Sequence, residues 1–127
     1  MRIHNAIICD QVRKEDNGKP LLLGVYPFDA LIPDFPGALA LTLWTQLIVD
    51  KNGKYDVEFR ILKDKKTIKS IKAILDVEDH LMPMTVTLAL PIIDIEEECT
   101  LFFQIREKNK RWKTLKELPV KKRPNSD

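Results

Sequence analysis

Apolar and polar side chains alternate along most of this chain. From Tyr55 to Ile61 the order is Tyr-Asp-Val-Glu-Phe-Arg-Ile, a period of two that turns one side of an extended strand to a core and the other to water. Met84 to Ile93 repeats the pattern, with Val86, Leu88 and Leu90 inward and Thr85, Thr87 and Ala89 outward. Cys99 to Glu107 likewise gathers Leu101, Phe103 and Ile105 on one face. Turn-forming residues interrupt the alternation at intervals of roughly 8–15 residues, the rhythm of an all-β sandwich or barrel. Further strands are expected from His4 to Val12, from Leu21 to Phe28, and from Arg111 to Leu118, the last carrying Trp112.

Other segments are less regular. Ala38 to Val49 is apolar on both sides, with Leu39, Leu41 and Leu43 on one and Trp44 and Ile48 on the other. That fits a central strand, or one with a bulge near Trp44. In Thr67 to Val77, Ile68, Ile71 and Ile74 fall three apart, which suits a short helix or a bulged strand. Their stiff, β-branched side chains favour the strand. Asp29 to Gly37 contains Pro33 and Pro36, which lack the donor a central strand needs, so this loop should cross from one sheet to the other. The sum is about eight strands in a two-sheet antiparallel β-sandwich, immunoglobulin-like or C2-like. It spans residues 1–120 as a single domain, and the basic tail at 121–127 is expected to be disordered.

Asn17-Gly18 and Asn52-Gly53 are both flanked by strand-forming residues and predict tight hairpins, because Asn and Gly tolerate positive φ. Around the first runs Cys9-Asp10-Gln11-Val12-Arg13-Lys14-Glu15-Asp16-Asn17-Gly18-Lys19, then Leu22-Leu23-Gly24-Val25-Tyr26. This pattern resembles the start of an uncharacterised bacterial family of small β-rich proteins. The close match covers residues 9 to 26, and beyond it only length and strand rhythm agree. Gln11 stands where the family pattern has a second Asp, and Glu97-Glu98 where it has a Pro-Gly-like turn. The resemblance implies a bacterial cytoplasmic β-sandwich and carries over no catalytic residues. Asp10, Arg13, Glu15, Asp16, Asn17 and Gly18 read as a folding signature. In that reading Asp10 pairs with Arg13 across the hairpin and Asp16 accepts turn amides.

Composition adds limits. Hydrophobic residues make up 44% of the 127 and charged residues 31%, enough for one core and inconsistent with wholesale disorder. The apolar run Ala6-Ile7-Ile8-Cys9 is too short for a secretory segment, and no run nears the roughly 20 residues of a membrane span. Two cysteines, Cys9 and Cys99, suggest buried free thiols in a reducing cytoplasm. Net charge is +2, distributed as −2 over residues 1–50, +5 over 51–72, −7 over 73–100 and +6 over 101–127. Blocks of opposite sign suit neighbouring strands that neutralise one another.

No catalytic constellation stands out. The histidines are His4 and His80, Ser70 is the one serine before the tail, and no Gly-x-Ser-x-Gly elbow occurs. A weak hydrolase built on Asp10, Asp16 and the histidines is the most that can be assembled. Zinc spacings are absent. The acidic stretches Asp76–Asp79 and Asp94–Glu98 flank one strand, so they fall at its opposite ends and do not converge on a calcium ion. The four glycines are isolated and form no phosphate loop. No cofactor is implied. Lys63, Lys65, Lys66, Lys69 and Lys72, with the tail lysines, could bind an anion or nucleic acid. A near-neutral charge and few interleaved aromatics instead favour lysines that guard an edge strand.

An interaction module remains. Its best apolar patch is Leu31, Ile32 and Phe35, set between Pro33 and Pro36, although the same loop also reads as a plug for the open end of the sandwich. Trp112, the Thr85 and Thr87 face and the second apolar face of the 38–49 segment are further candidates. The expected function is non-enzymatic binding of a protein partner or of a second copy of the chain.

Overall fold

The computed structural model describes residues 1–124, and those residues form eleven strands and no helix. In chain order they are β1 (Arg2–Lys14), β2 (Pro20–Val25), β3 (Ala30–Ile32), β4 (Gly37–Leu39), β5 (Thr42–Ile48) and β6 (Gly53–Lys63). They continue as β7 (Lys66–Val77), β8 (Met84–Ala89), β9 (Ile93–Ile95), β10 (Cys99–Glu107) and β11 (Lys113–Lys122). One sheet has the order β2-β1-β5-β8 and the other β3-β11-β10-β6-β7, while β4 and β9 form a short ladder of their own. All pairings are antiparallel except β3 with β11. The chain passes directly between the two large sheets after β2, β5 and β7, and returns through β4 (from β3 to β5) and crosses through β9 (from β8 to β10). With β1, β5 and β8 on one side and β6, β7, β10 and β11 on the other, the connectivity is of the immunoglobulin type.

The alternating segments supply the core because every second side chain of a strand reaches the space between the sheets. Ile8, Leu43 and Leu47 come from one sheet; Val57, Phe59, Ile61, Leu101, Phe103, Ile105, Leu118 and Val120 come from the other. Thr45 is buried among them. Its hydroxyl donates to Asn5 O (2.7 Å), next to the register shift between Ile3 and Asn5, so the buried oxygen is satisfied.

Several expectations change. Asn52-Gly53 is not a hairpin, because β5 and β6 lie in different sheets and the dipeptide forms the corner between them. Asn52 Oδ1 accepts the His80 backbone N–H (2.7 Å) and lies 2.8 Å from His80 Nδ1, which pins the corner to the loop before β8. The 38–49 segment breaks at Ala40-Leu41, since β4 leaves to pair with β9. Met84 to Ile93 stops at Ala89 for the same reason. β5 lies inside its sheet and no register shift falls at Trp44; shifts occur at Ile3/Asn5, Ile61/Leu62 and Phe103/Gln104. The 29–37 segment crosses between sheets as expected, but it contains β3. Lys121 and Lys122 pair with Leu31 and Ile32, and Arg123 donates its N–H to Ile32 O (2.7 Å). The supposed tail is therefore strand to Lys122, held by parallel pairing, and residues 125–127 lie outside the described residues.

Candidate interaction surface

The two outer faces differ in chemistry. On the five-stranded sheet Asp56, Glu58, Arg60, Lys72 and Arg106 point outward from β6, β7 and β10. Trp112 lies against that face, with the Arg60 and Arg106 guanidiniums 4.0 and 4.4 Å from its ring centre. Arg60 Nε donates to Gln104 Oε1 (2.8 Å), and Arg106 pairs with Glu58 (3.3 Å). A hollow of about 410 Å³ opens beside this network between Asp56, Glu58, Lys72, Ile74 and Lys108, and no Ser, Cys or His lines it.

The four-stranded sheet is different. Its outer face begins with Asn5, Gln46 and Thr85 side by side, joined by hydrogen bonds of 2.9 Å (Asn5 Nδ2 to Gln46 Oε1) and 3.4 Å (Gln46 Nε2 to Thr85 Oγ1). The next rung is Ile7, Trp44 and Thr87, followed by Val25, Cys9, Thr42 and Ala89. Leu23 beside Gln11 and Leu21 beside Arg13 continue the face along β2. From Asn5 to Gln11, and across to β8, none of these positions carries a charge. Trp44 and Cys9 are buried by their neighbours, whereas Leu21, Leu23 and Val25 are 41%, 37% and 46% exposed. Past Cys9, β1 has β2 alone as neighbour, so the hairpin projects from the sheet as a two-stranded arm.

The charged motif shapes this arm. Asp10 folds across Gly24 and accepts a hydrogen bond from the Tyr26 hydroxyl (2.7 Å). Gly24 has φ +67°, and a Cβ there would lie 2.2 Å from Asp10 Oδ2, so any other residue would be strained and would displace the carboxylate. The two halves of the motif, Cys9-Asp10 and Leu23-Gly24-Val25-Tyr26, are thus one contact. At the turn Glu15 N–H donates to Lys19 O (2.8 Å), Gly18 N–H donates to Glu15 O (2.9 Å), and Gly18 has φ +85°. Asn17 Oδ1 accepts the Lys19 N–H (3.0 Å). Two expectations are corrected here. Asp10 pairs with Tyr26 and not Arg13, which sits beside Leu21. Asn17, not Asp16, serves the turn amide, because its oxygen lies two residues before the free N–H.

Burial pushes the Tyr26 hydroxyl up to about 12, and the Asp10 carboxylate adds to this as hydrogen-bond partner and neighbouring charge. The neutral phenol is therefore favoured by folding. Its stabilisation is complete below the ordinary value of 10.0 and is lost as pH rises from there through about 12. Ultraviolet titration should show Tyr26 ionising late, and Asp10→Asn should bring it part of the way back toward 10. Identical curves for the two proteins would remove Asp10 as a cause.

The remaining sequence candidates scatter. Ile32 is buried and Phe35 packs on the core, so the loop is a plug, and only Leu31 of the three is exposed. Lys63 binds Glu96 Oε2 (2.9 Å) and Asp94 O (2.8 Å), and this ammonium holds the Glu96 carboxyl below its usual range. Lys65 and Lys66 lie at the β6–β7 turn, Lys69 faces the inward register opposite Ile61, and Lys72 faces outward opposite Glu58. They do not share a face. Cys9 and Cys99 are free thiols, both pushed up by burial. Strand periodicity alone does not single out Leu21, Leu23, Val25 and Ile7 as a surface. The run Leu21-Leu22-Leu23 is the available signal, since three successive apolar residues in a strand put apolar side chains on both of its faces.

Among the described residues no group of three or more His, Cys, Asp or Glu is placed to hold a metal ion, and no helix is long and apolar enough to cross a membrane. The sequence matches no protein-family model and no curated protein.

Proposed function

We propose that this protein is a non-enzymatic binding module that docks a protein partner on the uncharged outer face of the β2-β1-β5-β8 sheet. The observation that carries this reading is the contrast between the two outer faces. The five-stranded sheet carries outward charges, as an exposed sheet ordinarily does, whereas the four-stranded sheet presents Val25, Leu23 and Leu21 beside half-buried Ile7 and buried Trp44, without a charge until Arg13. Interface centres are depleted of charge and enriched in aromatic residues, with polar groups at the rim. Here Arg13 and the Asn5-Gln46-Thr85 ladder supply that rim. The resemblance of residues 9–26 to a bacterial family supports a bacterial cytoplasmic setting for the interaction.

A tagged copy used as bait in its host should retain one stoichiometric protein partner, with or without nuclease. Val25→Asp should release it. An unpaired carboxylate at an interface centre costs at least about 2 kcal/mol, roughly a 30-fold loss of affinity. A partner held equally by the Val25→Asp variant would sink this assignment of the face. Partners lost on nuclease treatment would shift the function to the lysines.

A further inference from the structure

An edge strand offers a row of unpaired backbone groups, and natural sheets guard such edges with lysines, proline, bulges or short length. Three of the four edge strands of the two large sheets are guarded. β7 carries Lys66, Lys69 and Lys72 and a register shift at Ile61/Leu62; β3 has three residues; β2 starts at Pro20 and carries Gly24 at φ +67°. β8 has none of these devices. It reads Met84-Thr85-Val86-Thr87-Leu88-Ala89, without charge, proline, glycine or register shift, and no other described strand pairs with its far side. Leu90 donates its N–H to Leu41 O (2.9 Å), which sets the alternation of the antiparallel ladder. Residues 84, 86 and 88 bond to β5, and the N–H and C=O groups of Thr85, Thr87 and Ala89 point away from the sheet.

We infer that β8 pairs antiparallel with β8 of a second copy, joining two four-stranded sheets into one of eight strands. The inference goes beyond the docking face, because it concerns the unpaired backbone edge of β8 and different bonds, although the side chains of Thr85, Thr87 and Ala89 also lie on that face. A twofold pairing sets each residue near its own counterpart, so any charge would meet its like. β8 carries none, whereas β7 would oppose lysine to lysine. Centred on Thr87, the pairing matches Thr87 with Thr87, Thr85 with Ala89, and Val86 with Leu88, so outward residues meet outward and inward meet inward. Pro83 and Pro91 bracket the strand and confine the contact to it. The ends complement each other too. Glu78 and Asp79 precede β8, and Lys69, which forms no ion pair among the described residues, lines the hollow with Pro91 and Ile92 after it. Antiparallel pairing brings these opposite ends together.

Sedimentation equilibrium over a range of concentrations tests this. The wild-type chain should form a dimer. Thr87→Lys and Thr87→Glu, at an exposed position, should each move dissociation to roughly tenfold higher concentration while melting stays near that of the parent. An equal mixture of the two should restore the dimer, a result only a self-pairing surface produces. Thr87→Pro should also dissociate it, since it removes an outward N–H and leaves the docking face uncharged. A wild type monomeric at millimolar concentration, a dimer indifferent to Thr87, or variants not rescued by mixing would overturn the inference. A dimer abolished by Val25→Asp but not by Thr87→Pro would assign self-association to the docking face instead.

Discussion

Replacing Phe103 by alanine is expected to lower the free energy of unfolding by about 3–5 kcal/mol, whereas Phe102→Ala, one residue away, should cost about 1 kcal/mol. β10 lies inside the five-stranded sheet between β6 and β11, so its backbone is held from both sides and cannot slide to fill a gap. The Phe103 ring, 1% exposed, points between the sheets and meets the space bounded by Leu43, Phe59, Ile61, Ile71 and Leu88. Removing it empties a volume enclosed by side chains of both sheets, and interiors packed at crystal density relax only partly into such space. Phe102 faces outward beside Leu62 and Glu117 and is half-buried. Against the roughly 5–15 kcal/mol typical of a domain, the first loss leaves a marginal protein and the second does not. Denaturant unfolding of both variants measures the contrast; equal losses would mean that the facing of β10 is wrong.

Gly24→Ala should cost about 2–3 kcal/mol. A left-handed φ of +67° penalises any Cβ by roughly 1–2 kcal/mol, and the methyl would displace the Asp10 carboxylate and break its bond to Tyr26, worth about 1 kcal/mol more. These two parts can be separated. In Asp10→Ala the carboxylate clash and the bond are already gone and only a 3.1 Å approach to the residue 10 Cβ remains, so adding Gly24→Ala there should cost little more than the backbone part. The double variant should then be less damaged than the two single losses added together. Strict additivity would mean that Asp10 and Gly24 do not meet. Because Gly24 lies between Leu23 and Val25, the same change should weaken partner binding by displacing the exposed row of β2.

Much of the fold was legible because strand periodicity is local. The alternations at 55–61, 84–90 and 99–107 assigned their inward residues correctly, since a strand has only two faces and water selects between them. The β-branched side chains of Thr67 to Val77 mark it as strand, and β7 occupies it. The folding signature was legible in its residues and not in its partners. Local spacing suggests Arg13, three positions away, as the partner of Asp10, but Asp10 meets Tyr26, sixteen positions away, because Gly24 leaves a path across the hairpin.

What the sequence could not contain is the pairing of distant strands. Asn17-Gly18 and Asn52-Gly53 carry the same local signal, yet one closes a hairpin and the other turns the chain from one sheet into the next. A turn dipeptide states that the chain bends; which strand then lies alongside depends on where distant apolar faces can be buried together. The loop with Leu31, Ile32 and Phe35 became a plug because β11 ran on to pair with β3. The docking face arises the same way. Leu21 to Val25, Ile7, Trp44 and Thr87 belong to four strands spread over more than half the chain, and they form one surface only through the register of β2, β1, β5 and β8. Local chemistry determined which residues are extended and which side of each strand is wet. Tertiary pairing alone decided which of those sides became neighbours, because register is set by contacts between residues the sequence keeps far apart.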